Sequence, residues 1–469
     1  MARYQCSVCG HVYDEQKEGE VWTSLPESWA CPVCDSAKPY FAAMAAAGGE
    51  TSASEEPQPA VGEYLAAWRR PSDDLETHMA DIHEMAATGR SIVEPMRTRK
   101  RSVSWDDLLI KGAQIAKVPL NEDEAVNTRT VIGPGADEPL IIDTPIYITH
   151  MSMGALSREA KLALARGSAA VRTAMCSGEG GILRESMQAA YKYILEYVPN
   201  RYSITDENLK SVAAVEIKLG QSAKPGMGGH LPGSKVTEEI AAIRGFPKGS
   251  DIISPARFDD IRNRDDLSRK VEWLREKTAG KPIGVKIAAG NIEADLAAVL
   301  HARPDFITLD GRAGATGAAP KFVKDTTSIP SIFALCRARR FLDERGADNV
   351  SLVITGGLRI SPDFAKALAL GADAVAIGTA ALMACGCQQY RICNTGKCPV
   401  GVTSQDPQLR ARLDVDQSAK RLESFLRVST EELTGFARLT GNDDVHKLAM
   451  EDLCTTNSEI SQHTAVEHA

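Results

Sequence analysis

No apolar run in this sequence reaches about 18 residues without a charge, the length a bilayer-spanning helix requires. The closest, residues 374–388, falls short. The opening Met1-Ala2-Arg3-Tyr4-Gln5-Cys6 lacks the apolar centre of a secretory signal, so a cytoplasmic setting is expected, where 11 cysteines stay reduced or hold metal. No Gly-x-Gly-x-x-Gly turn occurs, which removes the fingerprint of a Rossmann nicotinamide site. Basic charge is in deficit, and a net charge of −8 argues against nucleic acid or an anionic membrane as the main partner. What remains is a chain of 469 residues, 43% hydrophobic, enough for one large barrel with small additions.

Cysteine spacing carries the first positive signal. Cys6-x-x-Cys9 and Cys31-x-x-Cys34 are two knuckles, and each offers two thiolates to one tetrahedral metal. Tyr4, Tyr13, Trp22, Trp29 and Phe41 lie around them, a core so small that it needs the metal as a staple. Zinc and iron both suit four thiolates. Cys387, Cys393 and Cys398 form a second group at spacings x5 and x4, with Pro399 after the last. Three cysteines leave one corner of a cubane without a thiolate, which suits a [3Fe–4S] centre or a [4Fe–4S] centre with an open iron. Reduced cysteines on a loop are the plainer alternative.

Between these groups the organisation is read as follows. Residues 1–42 form the metal-binding unit and 43–61 a linker rich in Ala, Gly, Ser, Glu and Pro. Residues 62–139 lead in, with an amphipathic helix over 62–94. The run Arg97-Thr98-Arg99-Lys100-Arg101 reads as a solvated face, with a docking patch for an acidic partner or for the N-terminal unit as the alternative. From 140 to 402, short apolar runs alternate with helical segments. The candidate strands are 146–150, 172–176, 214–219, 251–254, 283–287, 306–310, 351–355 and 374–377, with helices at 158–169, 235–244, 265–278 and 361–370. Eight such units over roughly 240 residues predict an α/β fold, a (β/α)8 TIM barrel, with a doubly wound sheet as runner-up. The tail, 403–469, reads as helical, with a capping box at Ser429-Thr430-Glu431-Glu432 and a frayed last dozen residues.

Barrel chemistry sits at the C-terminal strand ends, and phosphate is often held after strands 7 and 8. Here those ends are Thr355-Gly356-Gly357 and Ile377-Gly378-Thr379. Lys286 lies within an apolar strand, where a buried cation calls for a negative partner such as a reduced flavin ring. Ser177-Gly178-Glu179-Gly180-Gly181, Lys224-Pro225-Gly226 and Asp310-Gly311-Arg312 are glycine-rich loops bearing charge. Glu179, Lys224 and Arg312 are candidates for positioning a dicarboxylate or an iminium.

Residues 4–41 resemble rubredoxin, through Tyr4-x-Cys6-x-x-Cys9-Gly10-x-x-Tyr13-Asp14 and Leu25-Pro26-x-x-Trp29-x-Cys31-Pro32-x-Cys34. That resemblance implies one iron on Cys6, Cys9, Cys31 and Cys34, with zinc possible. Residues 100–440 resemble the FMN-binding synthase domain of glutamate synthase, in the short archaeal-type layout. The match runs through Met151-Ser152-Met153-Gly154-Ala155-Leu156-Ser157, Gly178-Glu179-Gly180-Gly181, Ala223-Lys224-Pro225-Gly226, Leu231-Pro232-Gly233, Gly356-Gly357-Leu358 and the Cys387…Cys393…Cys398 loop. It implies FMN held by Met151, Ser152, Gly154, Ser177, Lys286, Asp310, Gly311, Gly356, Gly357, Gly378 and Thr379. It implies a [3Fe–4S] cluster on Cys387, Cys393 and Cys398, and catalytic roles for Lys286, Glu179, Lys224 and Asp310. The implied reaction is reduction of 2-iminoglutarate, from 2-oxoglutarate and ammonia, to L-glutamate. Electrons would come from an NAD(P)H- or ferredoxin-linked reductase, and nitrogen as ammonia or from a separate glutaminase subunit; an oligomer is expected. Met227 stands where the large enzymes of this family have a glutamate, and no glutaminase nucleophile is available, because Cys6 belongs to a knuckle. The alternatives are an N-methylglutamate synthase-like enzyme or a non-catalytic electron-transfer or regulatory subunit. A generic FMN-dependent 2-hydroxy-acid oxidase is not supported, because no Arg/His pair in this sequence can be placed for that substrate and the three-cysteine loop would go unexplained.

Overall fold

The structure is a computed structural model and describes residues 2–6, 11–33, 36–44, 70 and 72–469. The chain divides into two compact units, Met1–Val93 and Glu94–Ala469. In the first, strand Arg3–Cys6 pairs antiparallel with Val12–Asp14 on one side and Phe41–Met44 on the other. The expected aromatic core is present. Trp22 stacks on Tyr4 with ring centres 4.5 Å apart and meets Trp29 and Phe41 at 5.1 and 4.9 Å. Cys6 and Cys31 are buried; Cys9 and Cys34 lie outside the described residues. The helix expected over 62–94 is shorter: Met79–Thr88 is helical, closed by Gly89 at φ 63°, and buries no residue. Residues 62–69 lie outside the described residues.

The second unit contains a closed barrel of eight parallel strands. In order these are β1 (Ile146–Ile148), β2 (Ala174–Cys176), β3 (Lys192–Tyr197), β4 (Ala214–Lys218), β5 (Ile283–Ala288), β6 (Phe306–Asp310), β7 (Ser351–Thr355) and β8 (Ala374–Ile377). Side chains alternate faces along each strand. The outward set, including Leu195, Val215, Ile217, Val285, Ile307 and Leu309, packs on the surrounding helices. The inward set forms a separate core: Tyr147, Cys176, Ile194, Ala214, Phe306, Val353 and Ala376. The hairpin Thr130–Ile132/Leu140–Ile142 contributes Ile132, Leu140 and Ile142 to that core. The next inward positions toward the C-terminal ends are Glu196, Glu216, Lys286, Thr308, Lys218 and Asp310, all buried or nearly so. The barrel is therefore apolar in its lower part and charged at its mouth.

Four sequence expectations need correction. The 251–254 run is not a barrel strand; Ile252–Ile253 pairs antiparallel with His230–Leu231. The third barrel strand is instead Lys192–Tyr197, whose apolar run is broken by Glu196, a residue that faces the barrel interior. Ser429–Glu432 opens no helix: it lies inside the 25-residue helix Val415–Leu439, whose N-cap is Asp414. The chain end is not frayed. Glu467–His468 pairs with Leu453–Thr455, and Ile460 and Val466 are buried beneath it.

The helix Arg158–Ala170 crosses Val415–Leu439 at Gly167, where an added Cβ would lie 2.8 Å from the Ala419 carbonyl oxygen and 2.8 Å from Leu422 Cβ. Backbone and a rigid branched side chain cannot yield easily, so Gly167→Val should cost about 2 kcal/mol through overpacking. A fall of several degrees in the unfolding midpoint is the expected result, read by thermal melts monitored in the far ultraviolet.

Candidate active site

The charged mouth opens into a cavity with about 1440 Å³ of unfilled space, solvent at its opening included. Its walls come from the loops after the strands, which is where the chain leaves regular structure and side chains of different strands converge. Of the residues singled out from sequence, Met151, Ser152, Glu179, Lys224, Lys286, Asp310, Gly356, Gly357, Gly378, Thr379 and Cys393 line it. Gly154, Ser177, Gly311, Cys387 and Cys398 do not. Ser177 Oγ instead accepts from the Glu196 amide at 2.9 Å, bracing β3. Gly311 lets β6 and β7 close together: its amide donates to the Thr355 carbonyl at 2.9 Å, and Gly356, at φ 107°, sits so near the Gly311 carbonyl that a Cβ would collide with it. Arg312, considered for a substrate carboxylate, is committed to the carbonyls of Lys324, Asp325 and Thr327 at 2.8–3.3 Å.

Two ion pairs anchor the wall. Glu179 Oε2 lies 2.8 Å from Lys218 Nζ. Burial opposes the Glu179 charge, but Lys218, Lys224 and Arg244 outweigh it and hold the carboxyl at about 2. Lys286 Nζ lies 3.5 Å from Asp310 Oδ2, and Ser222 Oγ donates to the other Asp310 oxygen at 2.5 Å. Burial likewise opposes the Lys286 charge, and Asp310, Glu216 and Glu196 together raise it above its ordinary value. Deeper in the barrel, His150 Nε2 lies 3.0 Å from Glu216, which also accepts from the Thr308 hydroxyl. His150 Nδ1 accepts from the Gly178 amide at 3.2 Å, while Nε2, close as it is to the carboxylate, has no hydrogen bond of regular geometry among the described residues.

The remaining cations have carbonyls rather than carboxylates as partners. Lys224 Nζ donates to the Gly228 carbonyl at 3.0 Å, and burial, only partly offset by Glu179, lowers its pKa. Lys235 Nζ reaches the carbonyls of Ala155 and Cys393 at 3.4 and 3.3 Å. Arg244 donates to the Met153 carbonyl at 2.7 Å, and its buried Nε has no hydrogen-bond partner among the described residues. Arg359 follows Gly356-Gly357-Leu358 and donates to the Leu358 carbonyl at 2.9 Å; burial, reinforced by Arg97, pushes it down to about 10. Lys218, Lys224, Lys235, Arg244, Lys286 and Arg359 thus line the cavity against Glu179, Glu196 and Asp310.

In the cysteine loop, Gln389 Nε2 donates to Cys387 Sγ at 3.2 Å, and Cys393 Sγ lies 3.7 Å from Met96 Sδ. Burial, with Cys387 and Cys398 adding, pushes the Cys393 thiol up to about 11. Among the described residues no three His, Cys, Asp or Glu side chains converge on a single-ion position.

The profile described as a conserved region in glutamate synthase matches residues 78–443, and the rubredoxin profile matches residues 3–41. The chain belongs to the glutamate synthase family. It is 38% identical over 403 residues to the glutamate synthase large subunit-like protein of Rhizobium meliloti, covering 82% of this chain and 91% of that one. It is 40% identical over 443 residues to the archaeal-type glutamate synthase [NADPH] of Dehalococcoides mccartyi, covering 90% and 85%. The flavin-binding domain of baker's yeast flavocytochrome b2 superposes with a TM-score of 0.49 at 18% identity, over 77% of this chain and 78% of that one. That likeness adds nothing to the barrel seen directly. No helix among the described residues is long and apolar enough to cross a membrane.

His150, Glu196, Glu216, Lys218, Lys235, Arg244 and Arg359 were not found from sequence. For Lys218 and Glu196 the signal was present, a charge inside an apolar strand, as it was for Lys286.

Because its carboxyl is held below the ordinary 4.5, Glu179 adds stability above that pH and loses it as pH falls toward about 2. Lys218→Met should cost about 3 kcal/mol at neutral pH, since it leaves a buried carboxylate without its partner. The deficit should shrink between pH 4.5 and 2 as Glu179 protonates. Urea unfolding of both proteins across that range is the check, and a pH-independent deficit would contradict the ion pair.

Proposed function

We propose that this chain is the synthase component of a glutamate synthase, reducing 2-iminoglutarate, formed from 2-oxoglutarate and ammonia, to L-glutamate. The observation that carries this reading is the excess of buried cations over carboxylates in the cavity, which calls for anionic ligands of the charge of a phosphate and a dicarboxylate. FMN, when bound, supplies the electron pair. Its phosphate is assigned to Gly356, Gly357, Gly378 and Thr379, with Arg359 as a cation that has no carboxylate of its own. Met151 and Ser152 fit the same wall. Lys286, kept charged by Asp310, answers negative charge that builds on a reduced ring. Lys224 and Arg244 are assigned to substrate carboxylates, and ionised Glu179 attracts the ammonium or iminium nitrogen.

Cys387, Cys393 and Cys398 would hold a [3Fe–4S] cluster. In a polynuclear cluster each thiolate binds a different iron, so its ligands need not converge on one single-ion position. Cys6, Cys9, Cys31 and Cys34 are read as the ligands of a single iron, and a visible spectrum separates this from zinc. The order of electron flow is an outside NAD(P)H- or ferredoxin-linked reductase, the N-terminal iron, the cluster and the flavin. With Cys6 committed to a knuckle, free ammonia or a separate glutaminase subunit is the nitrogen source in this reading.

The test is anaerobic. The chemically reduced protein receives 2-oxoglutarate with ammonium, glutamine or methylamine in turn, with flavin reoxidation followed and the product weighed. Glutamate from ammonium is expected; N-methylglutamate from methylamine alone would replace this reading, and no reoxidation with any donor would remove it. Lys286→Met should slow glutamate formation about a hundredfold and make the flavin potential more negative, read by spectroelectrochemistry; an unchanged potential would end the role given to Lys286. Cys393→Ser should abolish the cluster's electron paramagnetic resonance signal while flavin absorbance stays.

A further inference from the structure

Seven of the eight seams of the barrel are laced by three to five register pairs, and the eighth, between β1 and β2, by one, Ile148 with Met175. The loop that leaves this seam after β1 carries Met151 and Ser152, which line the cavity. It lies flat on the loop after β2: a Cβ on Gly178, at φ 80°, would fall 2.3 Å from the Met151 carbonyl carbon and 2.4 Å from the Ser152 nitrogen. Backbones pressed this closely have almost no ladder of their own to hold them.

Lys161 supplies what the ladder lacks. It stands on the helix Arg158–Ala170 and is wholly buried. Its Nζ donates to the Met151 carbonyl at 2.9 Å on one side of the seam, and to the Cys176 and Ser177 carbonyls at 3.1 and 2.7 Å on the other. An ammonium has three N–H donors, one for each carbonyl; a neutral amine has two and turns its lone pair on the third. Burial draws the Lys161 pKa down to about 7, with Cys176 and Glu196 opposing. The Cys176 thiol on β2 is itself raised by burial and stays neutral, so Glu196 on β3 is the carboxylate that reaches Lys161. His150, beyond β1, is turned to Glu216. The ionised side chains of the helices around Lys161 pair with one another: Arg158 with Glu185, Arg166 with Asp416, Glu159 with Arg410.

We propose that Lys161 is a positioning residue for the flavin: its ammonium clips the loop after β1 to the loop after β2 and so holds the Met151–Ser152 wall in the shape that binds FMN. The inference rests on the flavin assignment given above. The clip depends on a proton. While Nζ carries three, all three carbonyls are met. Once it loses one, a buried carbonyl at the seam is left unpaired and the wall loosens. FMN retention therefore falls as pH rises through neutrality.

The experiment follows FMN release from the full-length holoprotein after dilution, read as the gain in flavin fluorescence, between about pH 6 and 9. Wild-type release should quicken about tenfold as pH rises, the effect of one charge-assisted hydrogen bond. Lys161→Gln, which offers two donors at every pH, should release FMN at the fast rate throughout, without the step. Lys161→Met, similar in length and without a donor, should be faster still, and serves if the glutamine variant does not fold. Wild-type release that is flat with pH would overturn the proposal. So would a step that persists in Lys161→Gln, since it would then belong to a cavity cation such as Lys235, which burial lowers to about 8. A variant that melts earlier yet keeps FMN as wild type does would show a packing role only and overturn it as well. A purified wild-type chain that carries no flavin would instead overturn the flavin assignment on which the inference rests.

Discussion

The ion pair between Glu179 and Lys218 joins the loop after β2 to the end of β4, and the mouth of the barrel is arranged around it. A charge at this depth is tolerated only where an opposite charge or a set of hydrogen bonds meets it. Lys286 and Asp310 satisfy the same condition between β5 and β6, and Ser222 completes it from the loop after β4. His150 and Glu216 repeat it one layer deeper. Each pair ties different strand ends together, so the electrostatic requirement of the site is also what fixes its walls.

The pairs do not exhaust the charge, and the surplus separates wall from ligand site. Lys224, Lys235, Arg244 and Arg359 each rest on backbone carbonyls. A carbonyl orients a cation without neutralising it, which leaves the charge available to a phosphate or carboxylate. Arg244 shows how much of the loop sequence serves this end. A Cβ on Gly180 would lie 2.6 Å from its guanidinium and one on Gly154 3.3 Å. Gly180 leaves room for the guanidinium, and Gly154, whose Cβ would first meet Leu231 at 2.8 Å, borders it as well.

The barrel was legible from sequence because its outward faces are near-continuous apolar runs, and the rims of β7 and β8 because paired glycines follow those runs. β3 was not, although its pattern matches that of β4, which carries Glu216 and Lys218 on the same inner face; the apolar run at 251–254 took its place in the count of eight. Lys286 was found because its neighbours are all apolar. His150, Arg244 and Arg359 lie on loops or helix ends, where local pattern carries no information about which side chains converge. The helix Val415–Leu439 hid its length for a related reason: Ser429 and Thr430 look like a cap, yet Ser429 is buried and Thr430 meets Thr144 at 2.8 Å.

The cysteine loop combines two demands that pull apart. Its sulfurs need a dry setting, and burial raises the Cys387 and Cys393 thiols accordingly. The cations beside it, Arg97, Arg99 and Lys397, need solvent. The chain reconciles them by residue order: Cys393 faces the cavity, Arg391 two residues earlier reaches outward to the Arg97 carbonyl, and Gln389 two residues before that turns back to Cys387. Alternation of this kind in an irregular loop requires the backbone to reverse direction within single residues. The left-handed conformations of Gln389 and Arg391 provide that reversal without glycine. Side chains disfavour this region, so the loop stays in it only because contacts at both ends hold it. The loop can therefore keep a dry sulfur face and a charged outer edge within five residues.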